Sequence, residues 1–240
     1  MLLHGGSLFM RTMSNRLDFT IDTKQDLIDA VNRFGILPLF TNSIPGFSVE
    51  EHVSPRAWFT GEEGVWEWKG PVIRESGCAY GKFFEHKAAF VSLEWYPDLA
   101  NFRRDGYDFD ARYDDGLASY KEKELYDLLA EHEPILSKGL KVRGGYGKDG
   151  KKGFDTLISR LQANGYAVIS DFVYEQTKDG KVYGWGVAQY STPEKLFGSA
   201  FSDNVYRYDP EVSLDRLKRH MGEILPHATE KSITRFLSKK

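Results

Sequence analysis

The chain has 240 residues, a net charge of −3 and one cysteine. A single cysteine excludes a disulfide framework or a cysteine-rich zinc site within this sequence, and it fits the reducing cytoplasm, where we expect the protein. No stretch approaches the roughly 18 apolar residues that span a membrane. Because the whole chain is slightly acidic, any affinity for nucleic acid must come from a local basic patch.

The start of the chain predicts one clear helix between two irregular segments. Residues 1–19 are expected to form a flexible leader. Residues 23–34 place apolar side chains on one helical face, with Thr23 as the cap and Gly35 as the stop. Residues 36–55 contain three prolines, so we expect a loop with a short helix there.

The next region is rich in aromatic residues and has a less regular pattern. The segment VWEWKGPVI (65–73) predicts a strand and a turn, and residues 77–106 predict a mixture of short helix and loop. We interpret residues 20–118 as an aromatic-rich region that holds a degenerate winged helix.

The second half predicts a winged helix over residues 119–190. Its pattern indicates three successive helices and then two strands rich in β-branched and aromatic residues, with Asp179-Gly180 as a strong hairpin signal between them. The third helix, over 153–165, is the expected recognition helix. Residues 191–240 predict a helical tail broken at Pro226. The expected fold class is therefore α+β, with tandem winged-helix modules and a helical C-terminal tail.

The segment GGYGKDGKKG (144–153) matches two phosphate-loop patterns, G-x-G-x-x-G and G-x-x-x-x-G-K. Both patterns need a buried strand before the first glycine, and the second needs Ser or Thr where this chain has Lys152. The preceding LSKGLKVR is not a hydrophobic strand. We therefore expect no nucleotide cofactor here.

The same region is the best candidate for a nucleic-acid contact. Seven basic residues lie between positions 138 and 160, opposed by Asp149 and Asp155, and such a local excess is typical of a protein that binds a phosphate backbone. The predicted phosphate contacts are Lys138, Lys141, Arg143, Lys148, Lys151, Lys152 and Arg160, with Lys178 and Lys181 on the wing. The outward side chains predicted to meet base edges are Asp155, Thr156, Ser159, Arg160, Gln162 and Asn164. The alternative is a solvated lysine loop on a winged helix that contacts only protein.

The sequence does not predict a metal site. A calcium loop starting at Asp108 fails at its fifth position, Arg112, and no two histidines have the spacing of a helical metal pair. The acids over 105–115 are expected to pair with Arg103, Arg104 and Arg112. Cys78 is expected to be a core residue, with a nucleophile assisted by His52 or His86 as the alternative.

The aromatic region supplies candidate residues for catalysis. Most of its rings are expected to be core, although some could form a base-stacking pocket. The carboxylates nearest in sequence are Glu67, Glu75 and Glu85. Such a group could position a water or stabilise an oxocarbenium-like state.

The predicted winged helix, together with the segments LIDAVNRFGILPLF and WEWKGPVIRESGCAYGKFF, resembles the AlkZ-related (YcaQ-type) DNA glycosylases. The similarity covers roughly residues 20–240. It implies tandem winged helices, duplex DNA as the partner, and metal-independent removal of alkylated or crosslinked bases.

This chain departs from the family's catalytic pattern. Where the resemblance calls for Gln-x-Gln or Gln-x-Asp, the sequence has Pro38-Leu39-Phe40, and the histidine expected after Trp68 is also missing. The chemistry does not carry over on these residues. Either other groups such as Glu67, Glu75 or Glu85 act, or the protein is a non-catalytic regulatory or protein-interaction module; an enzyme acting on a small molecule is the least favoured alternative.

Overall fold

The computed structural model of the chain describes residues 17–59, 63–177, 179 and 182–238. These residues form an α+β fold with two three-stranded antiparallel sheets, which confirms the expected class. The leader expected over 1–19 lies mostly outside the described residues, as do Lys178, Gly180 and Lys181 at the tip of the second hairpin.

The first sheet belongs to a unit that we call the first unit (residues 24–91). Its strands lie in the order β1-β3-β2. In chain order the elements are α1 (Lys24–Phe34), β1 (Ile36–Pro38), α2 (Pro55–Phe59), α3 (Val65–Ser76), β2 (Ala79–Phe84) and β3 (Lys87–Val91). Both ends of helix α1 lie where they were expected. Thr23 caps its start, and Gly35, with a positive φ of 67°, ends it.

Two helices lead to the second sheet and its unit, which we call the second unit (residues 120–191). The strand order is β4-β6-β5. The elements from residue 96 onward are α4 (Tyr96–Arg104), α5 (Phe109–Asp114), α6 (Tyr120–His132), β4 (Ile135–Leu136), α7 (Ser137–Arg143), α8 (Phe154–Ala163), β5 (Val168–Gln176) and β6 (Val182–Ser191). Both units thus follow the order α-β-α-α-β-β, and in both the last strand lies between the other two.

The segment 65–73 was predicted as strand and turn, and this prediction was wrong. It lies in helix α3, which begins after Gly64, whose backbone N–H donates to the Glu67 carboxylate at 3.0 Å. Val65, Trp68 and Val72 are buried on one face at helical spacing. Pro71 lies within the helix, and there it removes one backbone hydrogen bond without ending the helix.

The prediction of short helix and loop over 77–106 was also wrong for its first part, where the chain forms strands β2 and β3. Strands β2 and β3 form a hairpin whose turn residues Glu85 and His86 have φ values of 48° and 59°. No glycine or Asn-Gly pair marks this turn in the sequence, so the usual hairpin signal is missing.

The two units pack reciprocally through their third helices. Helix α3 of the first unit lies on β5 of the second, where Arg74 pairs with Asp171. Helix α8 of the second unit lies on β2 of the first, where the Gln162 side-chain oxygen accepts the Lys82 backbone N–H at 3.1 Å. The tertiary contact between the units is therefore made by the same elements from both sides.

The C-terminal segment forms α9 (Pro193–Phe197), α10 (Ser199–Ser202), α11 (Pro210–Ile224) and α12 (Glu230–Leu237). The last two helices confirm the predicted helical tail interrupted at Pro226. Phe236 of α12 stacks on Phe84 with ring centres 4.4 Å apart, and Arg216 of α11 pairs with the buried Asp98 at 3.0 Å. The tail therefore closes the core beside the first sheet.

The prediction that the acids over 105–115 pair with Arg103 and Arg104 was wrong. Arg104 is buried and pairs with Glu194 at 2.6 Å, and Arg103 donates to the carbonyl oxygen of Phe83 at 3.1 Å. Asp108 instead caps α5. The acids and arginines are neighbours in sequence, but helix α4 directs its arginines into the core.

Candidate nucleic-acid interface

A groove of about 670 Å³ runs along the outward face of α8. Helix α8 supplies one wall, the β2–β3 hairpin supplies Lys82 and His86, and α5 supplies Arg112. Thr156, Ser159 and Arg160, three of the residues predicted to bind nucleic acid, line this groove together. The groove therefore joins the third helix of one unit to the hairpin of the other.

The sequence of α8 explains why these side chains face outward. Phe154, Leu157, Ile158 and Leu161 are buried, and their spacing places them on one side of a 3.6-residue helix. The opposite side is left to Thr156, Ser159 and Arg160, which are exposed or half-buried.

Gln162 does not belong to the outward set, so its predicted contact with a base edge is wrong. Its side chain is 1% exposed, and its amide bridges the Ile158 carbonyl oxygen at 3.2 Å and the Lys82 backbone N–H at 3.1 Å. The helical period alone places residue 162 at the margin of the apolar face, and the approach of β2 buries it.

The groove has an excess of positive charge. Lys82 and Arg112 form no ion pair with any carboxylate of the described residues. Arg160 lies 3.5 Å from Glu122, and Asp155, the one carboxylate among the lining residues, lies 3.1 Å from Lys141 outside the groove. An anionic ligand would meet two unpaired cations and a weakly paired third.

The lysine-rich loop beside the groove has less free charge than its sequence indicates. Lys138 pairs with Glu175, Lys151 with Glu124 at 2.5 Å, and Lys141 with Asp155 at 3.1 Å. The partners Glu124 and Glu175 come from α6 and β5, so they do not appear in a count over residues 138–160.

Other basic residues of the loop interact with neutral groups. Lys152 donates to the carbonyl oxygens of Gly147, at 2.8 Å, and Lys148. Arg143 lies 3.4 Å from the His132 ring, and Lys148 is exposed. The predicted wing lysines Lys178 and Lys181 lie outside the described residues.

The glycine-rich segment 144–153 forms a tight turn between two helices. Lys151 donates its backbone N–H to the carbonyl oxygen of Gly145 at 2.8 Å, and helix α7 precedes the turn. A phosphate-binding loop follows a buried strand, and here the preceding element is helical.

The profile of the family described as AlkZ related matches residues 21–238. The chain belongs to the AlkZ-related family. No curated protein and no solved structure gives a significant match to the chain. The resemblance noted from the winged-helix order and the two N-terminal segments is confirmed at the level of the family.

In this AlkZ-related chain the Pro38-Leu39-Phe40 segment lies beside an aromatic cluster. The ring of Phe40 lies 6.1 Å from Trp58 and 6.0 Å from Trp66, measured between ring centres. Leu39 is buried and Pro38 ends β1. The segment that the resemblance sets at the family's signature therefore carries apolar side chains, none of which could position water.

The three candidate carboxylates are not brought together. Glu67 accepts a hydrogen bond from the Gly64 backbone N–H, and Glu75 forms an ion pair with Lys24 at 2.6 Å. Both carboxylates are exposed. Glu85 lies in the β2–β3 turn. None of the three lines the groove along α8.

The surroundings of Cys78 and His52 do not favour the nucleophile that was considered as an alternative, since both residues are buried. Burial raises the pKa of the Cys78 thiol to about 12, so the reactive thiolate is disfavoured. The His52 ring lies within hydrogen-bond distance of the Phe19 and Gly46 carbonyl oxygens, at 3.0 and 2.9 Å. The core interpretation of Cys78 is confirmed by its burial.

The described part of the chain was also searched for a metal-binding cluster and for a membrane-spanning helix. In it, no group of three or more His, Cys, Asp or Glu side chains is arranged to hold a metal ion. None of its helices is long and apolar enough to cross a membrane.

Proposed function

We propose that this AlkZ-related chain binds duplex DNA through the groove along α8. The observation that carries the proposal is the meeting of Thr156, Ser159 and Arg160 with the unpaired Lys82 and Arg112. Hydroxyl and guanidinium groups on an exposed helix face can reach base edges, while flanking cations contact phosphates.

The topology supports a tandem winged helix as the scaffold. Each unit has three helices and three strands in the order of a winged helix, with the strand between the first two helices paired to the last strand. We assign the first module to residues 20–118, the second to 119–190 and the tail to 191–240, in a protein that works in the cytoplasm.

The position of Lys82 and His86 gives the first unit a part in the interface. These residues come from the hairpin of the first unit but line the groove of the second unit's third helix. A duplex lying along α8 would therefore touch both units at once. Three cations of the lysine-rich loop, Lys138, Lys141 and Lys151, already have carboxylate partners.

Removal of an alkylated or crosslinked base is the activity that the family resemblance suggests, but no arrangement of the described residues supports it in this chain. The segment that the resemblance sets at the family's signature carries Pro38 and Phe40, and none of the three candidate carboxylates lines the groove. We expect no abasic sites after incubation with alkylated or crosslinked DNA. Their formation, and its loss in variants of Glu67, Glu75 or Glu85, would restore the glycosylase interpretation.

Two double variants that remove the same number of charges test the interface. The first combines Lys82→Gln with Arg112→Gln in the groove; the second combines Lys138→Gln with Lys151→Gln in the lysine-rich loop. Binding to a short undamaged duplex is measured by fluorescence anisotropy at several salt concentrations. The groove pair should lower the slope of log affinity against log salt by about 1.8 if each cation contacts one phosphate.

The loop pair serves as the matched control. Its members already have carboxylate partners, so we expect a smaller loss of slope and of affinity. An equal or larger loss in the loop pair would move the interface to the loop. Absence of salt-dependent binding in the parent protein would reject DNA as the partner and favour the non-catalytic protein-interaction module.

A further inference from the structure

One face of α8 presents a continuous stripe of side chains to the groove. The stripe consists of Thr156, Ser159, Arg160, Ala163 and Asn164, and this spacing is that of a single helical face. The side chains of Thr156, Ser159 and Asn164 form no hydrogen bond with any other described residue. The stripe therefore leaves its polar groups open to a ligand along about 12 Å of helix.

The members of the stripe differ in how well they can distinguish one base from another. A hydroxyl such as that of Thr156 or Ser159 donates to or accepts from several bases, so it carries little sequence information. A guanidinium matches the two acceptors of guanine, and a side-chain amide matches the acceptor and the donor of adenine. Within the stripe, Arg160 and Asn164 carry these two groups, whereas Ala163 between them offers only a methyl group.

Two contacts made by buried residues fix the end of α8 that carries Asn164. The Gln162 side-chain oxygen accepts the backbone N–H of Lys82, whose own side chain lines the same groove. Just beyond Asn164, Arg104 donates to the carbonyl oxygen of Gly165 at 2.8 Å. The groups that can read bases are therefore held in a fixed register with a cation that can contact phosphate. A fixed register of this kind favours recognition of a defined sequence.

Arg160 is available to a ligand at little cost to the protein. Its guanidinium is half-exposed and lies 3.5 Å from the Glu122 carboxylate, and exposed ion pairs contribute little to stability. Glu122 also accepts hydrogen bonds from the backbone N–H and the hydroxyl of Ser119, at 2.9 and 2.7 Å. Movement of Arg160 to a base would therefore leave Glu122 with its other partners.

We propose that α8 reads a short base sequence in duplex DNA, with Arg160 on a guanine and Asn164 on an adenine. The two residues are one helical turn apart, about 6 Å along the helix axis, and successive base pairs are stacked about 3.4 Å apart. The guanine and the adenine are therefore expected within about two base-pair steps of each other. This inference rests on the proposed DNA binding and adds a sequence preference to it, which contacts with phosphate alone do not confer.

Selection from a library of undamaged duplexes with a randomised centre tests this inference. The whole chain is incubated with the library, and the bound duplexes are recovered and sequenced. We expect an enriched motif that contains a guanine and an adenine within about two steps. Fluorescence anisotropy should then show at least about tenfold tighter binding to the selected duplex than to a scrambled duplex of the same composition.

Two single variants separate the two predicted base contacts. Arg160→Gln should change the preferred base at its position from guanine to adenine, because the new side-chain amide matches adenine. Asn164→Ala should lose the preference for adenine at the other position by at least about fivefold. Because Asn164→Ala removes no charge, its affinity for the scrambled duplex should stay within about twofold of that of the parent.

Arg219→Gln on α11 and Asn32→Ala on α1 are the matched controls, since both residues are exposed and neither lines the groove. Both should select the same motif as the parent. An enriched motif that is unchanged in Arg160→Gln and in Asn164→Ala would overturn the inference, because other residues would then read the bases.

Two further outcomes separate this inference from the proposed DNA binding. Salt-dependent binding without any enriched motif would overturn the base reading and leave DNA as the partner. Absence of binding to every duplex would reject both proposals together.

Discussion

The third helices of the two units, α3 and α8, have the same place in the same topology but present different surfaces. Helix α8 is amphipathic and turns hydroxyls and Arg160 toward a groove, whereas α3 carries Trp66 and Lys69 against the strand of the other unit. One helix is suited to contact a polyanion, and the other encloses an amine among rings. The two helices therefore share a topological position but carry side chains of different chemistry.

The attachment of the helices to the other parts of the chain also differs. Arg104, which is 1% exposed at its side chain, donates to the carbonyl oxygen of Gly165 at 2.8 Å just beyond α8 and pairs with Glu194. Helix α3 is attached by Arg74, which is 53% exposed at its side chain and pairs with Asp171. Breaking a buried ion pair lowers the free energy of unfolding much more than breaking an exposed one.

The largest expected effect comes from Arg104→Met. The change leaves the Gly165 carbonyl oxygen and Glu194 without their partner and should lower the free energy of unfolding by about 3 kcal/mol. Arg74→Met, the matched change on α3, should cost less than about 1 kcal/mol because that pair is exposed to water. Urea denaturation followed by circular dichroism measures both, and equal losses would remove the asymmetry between the two attachments.

The glycines that follow the two helices sharpen the same comparison. Gly165 has a φ of +79°, and an added Cβ would meet the Ala100 Cα atom at 3.0 Å, whereas Gly77 has a φ of +65° and no atom within 4 Å of an added Cβ. Gly165→Ala should cost about 2–3 kcal/mol, of which the left-handed backbone contributes about 1. Gly77→Ala should cost only that backbone part, about 1 kcal/mol.

Thermal and urea unfolding of the two alanine variants give the measurement. The same destabilisation in both would show that Ala100 yields easily to the new methyl group. It would also show that the end of α8 is no more tightly packed than the end of α3.

The smallest expected effect is a pH-dependent one at Lys69. The pKa of this lysine is lowered from 10.5 to about 8 in the folded protein, so the unfolded chain binds more protons between these values and stability rises with pH across that window. Burial of the charged form therefore destabilises the protein below pH 8. Lys69→Met removes this penalty and should be more stable than the parent by on the order of 1 kcal/mol at pH 7.

The advantage of Lys69→Met should shrink as pH rises from about 8 toward 10.5. The groups near Lys69 include Glu67 on α3 and Asp171 and Tyr174 on β5, and the Lys24–Glu75 pair joins α1 to α3. They are common to both proteins, so the difference between the two curves isolates Lys69. Lys231→Met, at an exposed lysine of α12, should follow the parent at every pH. A constant difference between Lys69→Met and the parent would mean that the lysine titrates at its ordinary pKa.

The sequence predicted α8 and its polar face well, because the apolar spacing of Phe154, Leu157, Ile158 and Leu161 is regular and the helix lies between glycines. The sequence did not predict α3. Its tryptophans, valines and Pro71 indicated a strand and a turn, and the capping contact between Gly64 and Glu67 was not predicted. Local composition outweighed a weak helical period there, and contacts with α1 and β5 decide the structure.

The candidate site was predicted only in part, for a related reason. Thr156, Ser159 and Arg160 follow from the period of one helix, but Lys82, His86 and Arg112 come from a hairpin and a helix far away in the sequence. The carboxylates that pair with Lys138 and Lys151 are likewise distant in the chain. A local count of charge cannot include them, so it overestimates the free charge of the loop.

Site-specific photocrosslinking to duplex DNA tests most directly whether the groove along α8 is the DNA-binding surface. A benzophenone amino acid is placed at Thr156 in the groove or at Val142 of α7, which is 78% exposed beside the lysine-rich loop. We expect a strong crosslink from position 156, reduced by added salt, and little crosslinking from position 142. Crosslinking from position 142 at an equal or higher yield would contradict the groove as the DNA-binding surface.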